Sequence, residues 1–281
     1  MAEIQQDVVY AKGSGRDLKL DLYRPDDAAA TGTAVLLLHG GGWRFGDRGK
    51  MERFGLELAR LGFVALAPEY RLLGEAPWPA QIEDVKAAIR WTRANAGRLE
   101  IHPDRIAVQG FSAGGHLALL AGGTPALAAF EGRGGNEAVS DRVAAVVAFF
   151  PAVALSVENQ GPGIKPASAL LGESATEAEA KQASPITYAS ADYPPTFLLH
   201  GTADTIIPFT TSLQMFETLQ EKGVMVELHL YPGHTHEFVR LPSMLATVQS
   251  EIALFLKRTV VDPERYIQEN LSLNMFAKGK R

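Results

Sequence analysis

The stretch Gly110-Phe111-Ser112-Ala113-Gly114 sets a serine between two glycines, each two residues away. A turn this tight between strand and helix leaves room only for glycines beside the serine. It lifts the serine Oγ above its strand, next to the free N–H groups of a helix start, where negative charge is favoured. That is the placement a nucleophile needs. The plain alternative for Ser112 is an ordinary helix N-cap, and its surroundings must decide. A second stretch, His39-Gly-Gly-Gly-Trp43, follows an apolar run. An acyl-transfer site must stabilise an oxyanion with preorganised N–H donors, and consecutive glycines let a backbone turn its amides toward a ligand. The candidate donors are the amides of Gly41, Gly42 and Ala113. His39 precedes this loop and is read as a hydrogen bonder that shapes it. Trp43 either lines an acyl pocket or packs.

A serine nucleophile needs a base, and the base needs a carboxylate. In an open parallel sheet, ligands bind outside the carboxyl ends of the strands. Asp141 and Asp192 precede apolar runs and so fall at the wrong end; Asp204 follows "TFLLHG" and falls at the right one. Of the seven histidines, His102 reads as a surface turn residue, His116 as part of the helix after Ser112, and His229 as part of the last strand. His200, at a strand end before Asp204, reads as a structural hydrogen bonder. His234 and His236 lie beyond the last strand, in "YPGHTHEF", and both stay open as the base. A His-x-His pair can also ligate a metal, but beside a serine, an aspartate and an oxyanion loop neither metal nor cofactor is expected.

These residues need elements to hold them. "DVVYA" and "DLKLDLYRP" read as two strands around a Gly-rich turn, the second alternating as a half-buried antiparallel strand does. Continuous apolar runs recur at "TAVLLLHGGGW", "GFVALAPEY", "RIAVQGFS", "RVAAVVAFFP", "PPTFLLHGTAD" and "VMVELHLYPG", the mark of strands buried on both faces. Between them lie helix-length segments such as 81–96. There Ile82, Val85, Ile89 and Trp91 form an apolar face, with Glu83, Lys86 and Arg90 expected to point elsewhere. The alternation predicts an α/β fold with a mostly parallel, eight-stranded sheet and helices on both faces. A single domain is expected over 1–261. The Gly-, Ala-, Ser- and Pro-rich segment 152–193 reads as a lid-like insertion over the sheet's edge. With the "RLLGEAPWP" loop and its Trp78, it is expected to roof the substrate pocket. The tail 262–281 is expected either to fray or to pack Tyr266, Leu271, Leu273 and Phe276 on a second copy, as a homodimer.

Composition excludes several other classes. The net charge of −5 comes with no long run of one sign, so no nucleic-acid partner is expected. The absence of cysteine rules out disulfides, thiolate nucleophiles and cysteine metal sites. No basic-then-apolar leader is visible, and no apolar stretch reaches the roughly 18 residues of a membrane span. A soluble cytoplasmic protein with no membrane partner, acting on a small-molecule ester, is the expectation.

Over about residues 8 to 258, "HGGGWRFGDR", "GFSAGGHLA", "GTADTIIP" and "PGHTHEF" together resemble the α/β-hydrolase superfamily. The likeness is to esterases related to the hormone-sensitive-lipase group, and most to the branch with bifunctional acetylxylan/feruloyl esterases. The resemblance implies a Ser-Asp-His chain order with Ser112, Asp204 and His236 as the triad, because the family's base stands in a "P-G-x-x-H-G-F" context. That puts His234 in a variable position, and Glu237 where glycine is usual. It further implies a carboxylesterase forming an acyl-enzyme on short-chain acyl esters, including acetylated or feruloylated sugars. An arylformamidase, whose oxyanion loop also reads His-Gly-Gly-x-Trp, is the alternative enzyme reading. A catalytically dead binding protein of the same fold is the remoter one.

Overall fold

In the computed structural model, the structure describes residues 3–158 and 165–273. Eight strands form one sheet: β1 Glu3–Gly13, β2 Arg16–Arg24, β3 Ala34–Leu38, β4 Val64–Pro68, β5 Ile106–Phe111, β6 Ala145–Phe149, β7 Thr196–Gly201 and β8 Val226–Tyr231. Their order across the sheet is β1-β2-β4-β3-β5-β6-β7-β8. β1 and β2 join antiparallel, and from β4 to β8 every pairing is parallel.

The continuous apolar runs have a plain cause. Along β3, Ala34, Leu36 and Leu38 face one hydrophobic layer while Val35 and Leu37 face the other. Period-2 alternation with helices on both sides demands apolar residues at every position. One layer is covered by α2 Ala80–Ala94, α4 Ala113–Gly123 and α7 Thr210–Glu221, the other by α1 Glu52–Arg60 and α8 Pro242–Leu256. The short α3, Ala96–Leu99, extends α2. Each fully buried Leu, Ile or Val contributes roughly 1.5–3 kcal/mol of transfer free energy, so this double-sided burial is the main term holding the sheet. Edge strand β8 is half-buried and mixes Glu227 and His229 with Val226 and Leu228.

One expectation is sharpened here and another corrected. Lys86 and Arg90 turn away from the apolar face of α2 but do not reach solvent: they are 0% and 1% exposed. Lys86 Nζ meets Glu131 Oε1 and Asp141 Oδ2, each at 2.7 Å, while Arg90 holds Glu131 Oε2 at 2.9 Å. Opposite charges supplied by a segment more than 40 residues away make burial tolerable; periodicity within one helix carries no sign of them. Segment 152–193 is not at an edge either. It connects the neighbours β6 and β7, with β8 outside them, and carries α5 Pro166–Leu171 and α6 Glu177–Gln182.

At the far end of the chain, α8 runs into a π turn at Lys257–Val261, Asp262 leaves helical geometry, and Pro263 starts α9, Pro263–Leu273. Ile267 and Leu271 of α9 are exposed; Phe276 lies outside the described residues. No helix among the described residues is long and apolar enough to cross a membrane.

Candidate active site

Ser112 sits between β5 and α4 with φ 53° and ψ −115°. A non-glycine residue there stores on the order of 1–3 kcal/mol of strain, which persists only where the surroundings enforce it. They do. A Cβ at position 110 would stand 2.0 Å from the Gly114 carbonyl oxygen, and one at 114 would stand 2.2 Å from the Leu38 oxygen. Both glycines are therefore required by contact, and the Ser112 amide is tied to the Phe149 carbonyl at 2.9 Å.

Ser112 Oγ lies 3.0 Å from His236 Nε2, and His236 Nδ1 lies 2.6 Å from Asp204 Oδ2. A carboxylate only accepts, so Nδ1 carries the proton and Nε2 is left to accept from the serine hydroxyl. Each oxygen of Asp204 takes two donors. Oδ1 accepts the amides of Ile206 and Ile207 at 2.8 and 3.0 Å, and Oδ2 accepts from His236 and, at 3.2 Å, from His200 Nε2. Burial pushes the Asp204 carboxyl up. The hydrogen bonds from His200 and His236 and that from the Ile207 amide outweigh it and hold the group well below the ordinary carboxylate range.

Asp204 and His236 meet because their loops are knitted. The Ala203 amide donates to the His234 carbonyl at 2.9 Å, and the Gly233 amide to Thr202 Oγ1 at 3.0 Å. A Cβ at Gly201 would come 2.2 Å from the His234 oxygen, so only glycine lets the loop pass. His234 is held by its backbone, while its ring turns back to the Pro232 carbonyl and packs edge-on against Phe238. The two histidines of the His-x-His pair thus serve different neighbours, and among the described residues no group of three His, Cys, Asp or Glu converges as a metal site would.

The serine opens into a cavity of about 370 Å³ whose walls include Gly41, Gly42, Trp43, Ala113, Ile207 and His236. Gly41 has φ +132° and a Cβ there would lie 2.0 Å from the Phe45 oxygen; Gly42 has φ +59°. Both conformations belong to glycine. Among the described residues, the amides of Gly41, Gly42 and Ala113 donate to no protein group, which leaves them for whatever enters the cavity. The loop is pinned at both ends. Tyr70 Oη donates to the His39 carbonyl at 2.8 Å, and the Leu73 amide donates to that of Trp43 at 2.9 Å. His39 stacks on Tyr70, and burial lowers its pKa by disfavouring the charged ring. Past the loop, Arg48 binds Asp21 at 2.9 Å and Glu69 at 2.8 Å, fastening "FGDR" to the sheet.

Residues 20–219 match the BD-FAE family. The chain belongs to that family. This BD-FAE chain is 35% identical to the probable carboxylic ester hydrolase LipM of Mycobacterium tuberculosis, over 74% of its own length and 50% of that protein. It spans about half the length of the curated relatives it matches. Among solved structures, a truncated carbohydrate esterase from gut microbiota superimposes with a TM-score of 0.79 at 28% identity, covering 91% of this chain and 96% of that one. Esterase Est2 of Thermogutta terrifontis does so with 0.77 at 32% identity, covering 94% of each chain. Est2 also has a structure phosphonylated by sarin. Fold and family are those of an α/β-hydrolase related to the hormone-sensitive-lipase esterases.

Within this BD-FAE fold, Trp43 is 3% exposed and forms part of the cavity wall, its ring edge-on to His116 at 5.1 Å. His116 is fully buried, donates from Nε2 to the Ala183 carbonyl at 2.8 Å and, through burial, has its pKa lowered to about 4. Trp78 does not line the cavity of Ser112. It lines a separate cleft, where its ring packs against Phe130 and His116. Glu237 does reach the cavity mouth, adopts φ 59° and pairs with Arg240 at 3.1 Å. Its left-handed backbone is the physical reason a glycine suits this position. Phe150, 4.4 Å from the His236 ring and itself at φ 37°, was not legible in the sequence. It lies in an apolar run at a strand end, where any large residue reads as core.

Proposed function

We propose that this chain is a serine carboxylic-ester hydrolase working through Ser112, His236 and Asp204. The observation that carries the reading is the continuous relay from Asp204 Oδ2 through His236 to Ser112 Oγ, beside three glycine-loop and helix-start amides with no protein acceptor among the described residues. The names of the relatives, a carboxylic ester hydrolase, Est2 and a carbohydrate esterase, support it.

Ser112 Oγ attacks the ester carbonyl carbon as His236 Nε2 takes its proton, and Asp204 keeps the imidazolium oriented and stabilised. The amides of Gly41, Gly42 and Ala113 hold the developing oxyanion. His236 then returns the proton to the departing alcohol, leaving an acyl-serine. Water, deprotonated by the same imidazole, releases the acid. The apolar cavity, with Trp43 and Ile207 in its wall, suits a short acyl chain; an acetyl group on a sugar fits both this size and the carbohydrate esterase relative.

A panel of p-nitrophenyl esters from acetate to octanoate, run beside N-formylkynurenine, tests this. Activity is expected to be highest for the short esters and to vanish in Ser112→Ala. Formamide turnover exceeding ester turnover would replace the reading with an arylformamidase. The exposed Ile267 and Leu271 of α9 support the further proposal that two copies pair through this helix, which light scattering of Ile267→Glu against wild type would test.

A further inference from the structure

We propose that Phe150 is a positioning residue for the base: a left-handed backbone carries its ring against the His236 imidazole, where it fixes the tilt that lets Nε2 meet the serine. The proposal rests on the ester-hydrolase reading above and adds a residue to its relay. Along β6 the side chains alternate as a strand requires. Val146 and Ala148 enter the layer covered by α4, while Val147 and Phe149 enter the layer covered by α8. The next residue should return to the first layer. It does not. Phe150 adopts φ 37° and packs in the same layer as Phe149, which sets two consecutive large rings on one side of the sheet.

A bulky residue in this region of φ is strained, and the surroundings must hold it there. The Phe149 carbonyl accepts the Ser112 amide at 2.9 Å, and the Phe150 amide donates to the Leu199 carbonyl at 2.8 Å. The backbone on either side of the kink is thus committed to the nucleophile's turn and to β7. Glycine would adopt this backbone without strain, so what phenylalanine adds at position 150 is its ring. That ring is 1% exposed. Its centroid lies 4.4 Å from that of His236, with the planes 54° apart, and Phe238 and His200 meet it edge-on at 6.1 and 6.3 Å. The imidazole itself is held by two hydrogen bonds, from Nδ1 to Asp204 and at Nε2 from Ser112. Two bonds fix two points of a flat ring and leave it free to tilt about the line joining them. A third contact removes that freedom, and among the described residues Phe150 is the one aromatic ring packed on His236. Phe150 is absent from the wall of the Ser112 cavity; it lines a separate void of about 30 Å³ with Met51, Phe54 and Phe111. Its influence on the reaction therefore passes through the base and not through contact with substrate.

The test compares wild type, Phe150→Leu and Phe150→Tyr in steady-state hydrolysis of p-nitrophenyl acetate and in proton NMR. Leucine keeps most of the buried volume but has no flat face. Phe150→Leu should lower kcat about 10- to 100-fold, the scale expected when a reacting group is misplaced by a fraction of an ångström to one ångström. KM should stay within about twofold, as for an interaction expressed only in the transition state. Tyrosine keeps the flat face, and the void beside the ring has room for its hydroxyl, since about 10–15 Å³ already holds a water. Phe150→Tyr should therefore return kcat to within about threefold of wild type. The Nδ1 proton of His236, hydrogen-bonded to Asp204, should give a downfield resonance in wild type and Phe150→Tyr that broadens or disappears in Phe150→Leu. A kcat unchanged in Phe150→Leu, a KM that rises as much as kcat falls, or a resonance indifferent to the substitution would overturn the proposal. Should Phe150→Leu not fold, Phe150→Met, whose flexible chain fills the same space, takes its place; should Phe150→Tyr not fold, the resonance decides. A wild-type chain inactive on every p-nitrophenyl ester would instead overturn the ester-hydrolase reading, and the resonance, which needs no substrate, would still judge the contact.

Discussion

His200 and His236 converge on one oxygen, Oδ2 of Asp204, at 3.2 and 2.6 Å. His200 Nε2 also lies 2.9 Å from the Ile207 carbonyl, which can only accept, so that nitrogen carries the proton and is shared between the two acceptors. Its Nδ1 is 2.8 Å from Ser212 Oγ. The carboxylate is thus oriented by an imidazole that never touches the cavity. Replacing His200 by Ala should lower kcat roughly 10- to 100-fold while leaving KM nearly unchanged. A purely structural role would move thermal stability without this split, and steady-state kinetics beside a melting curve separates the two.

Ser112→Ala and His236→Ala should each lower p-nitrophenyl acetate hydrolysis by roughly 10³-fold or more, and the double variant by little beyond that, because the two act as a unit. His234→Ala should stay within a few fold of wild type, since its ring faces Pro232 and Phe238. The reverse ranking of the two histidines would mean the base was misassigned.

Stability should fall in acid partly through Asp204. Its folded pKa lies below the unfolded value of about 3.9. Its ionisation therefore stabilises the fold above that unfolded value, and the contribution disappears as pH drops toward the folded one. Urea midpoints for wild type and Asp204→Asn should differ most at neutral pH and draw together below about pH 4. A constant gap across that range would show the carboxylate's charge to be irrelevant.

Lys86 is fully buried against Glu131, Asp141 and the Thr124 carbonyl. Lys86→Met removes the cation and leaves Asp141, 3% exposed, uncompensated. A loss of about 3–5 kcal/mol is expected on chemical denaturation. Adding Asp141→Asn to Lys86→Met should recover part of it, and non-recovery would contradict the charge-pairing account.

Glu237 holds a left-handed backbone at the cavity mouth with its carboxylate 55% exposed. Glu237→Gly should fold normally, as the backbone strain of about 1–2 kcal/mol is relieved. Removing the carboxylate should also raise kcat/KM for esters with an anionic acyl group, such as monoesters of succinate, relative to neutral ones. An unchanged ratio would show that this carboxylate does not screen substrates.

Much of this molecule was legible in one dimension because the constraints are local. Gly110 must be glycine because the Gly114 carbonyl four positions on forbids a Cβ, and continuous apolar runs follow from a sheet covered on both sides; Gly114, by contrast, is required by the distant Leu38 carbonyl. Strand ends also told Asp204 from Asp141 and Asp192. What the tertiary structure decided depends on partners distant in the chain. The burial of Lys86 and Arg90 rests on Glu131 and Asp141, the choice of Nδ1 as the protonated atom of His236 on Asp204, and the placing of Trp43 and Trp78 in two different cavities on the segments that pack around each. Side-chain direction and charge pairing across loops are set only when the sheet closes, so no spacing within a segment could encode them.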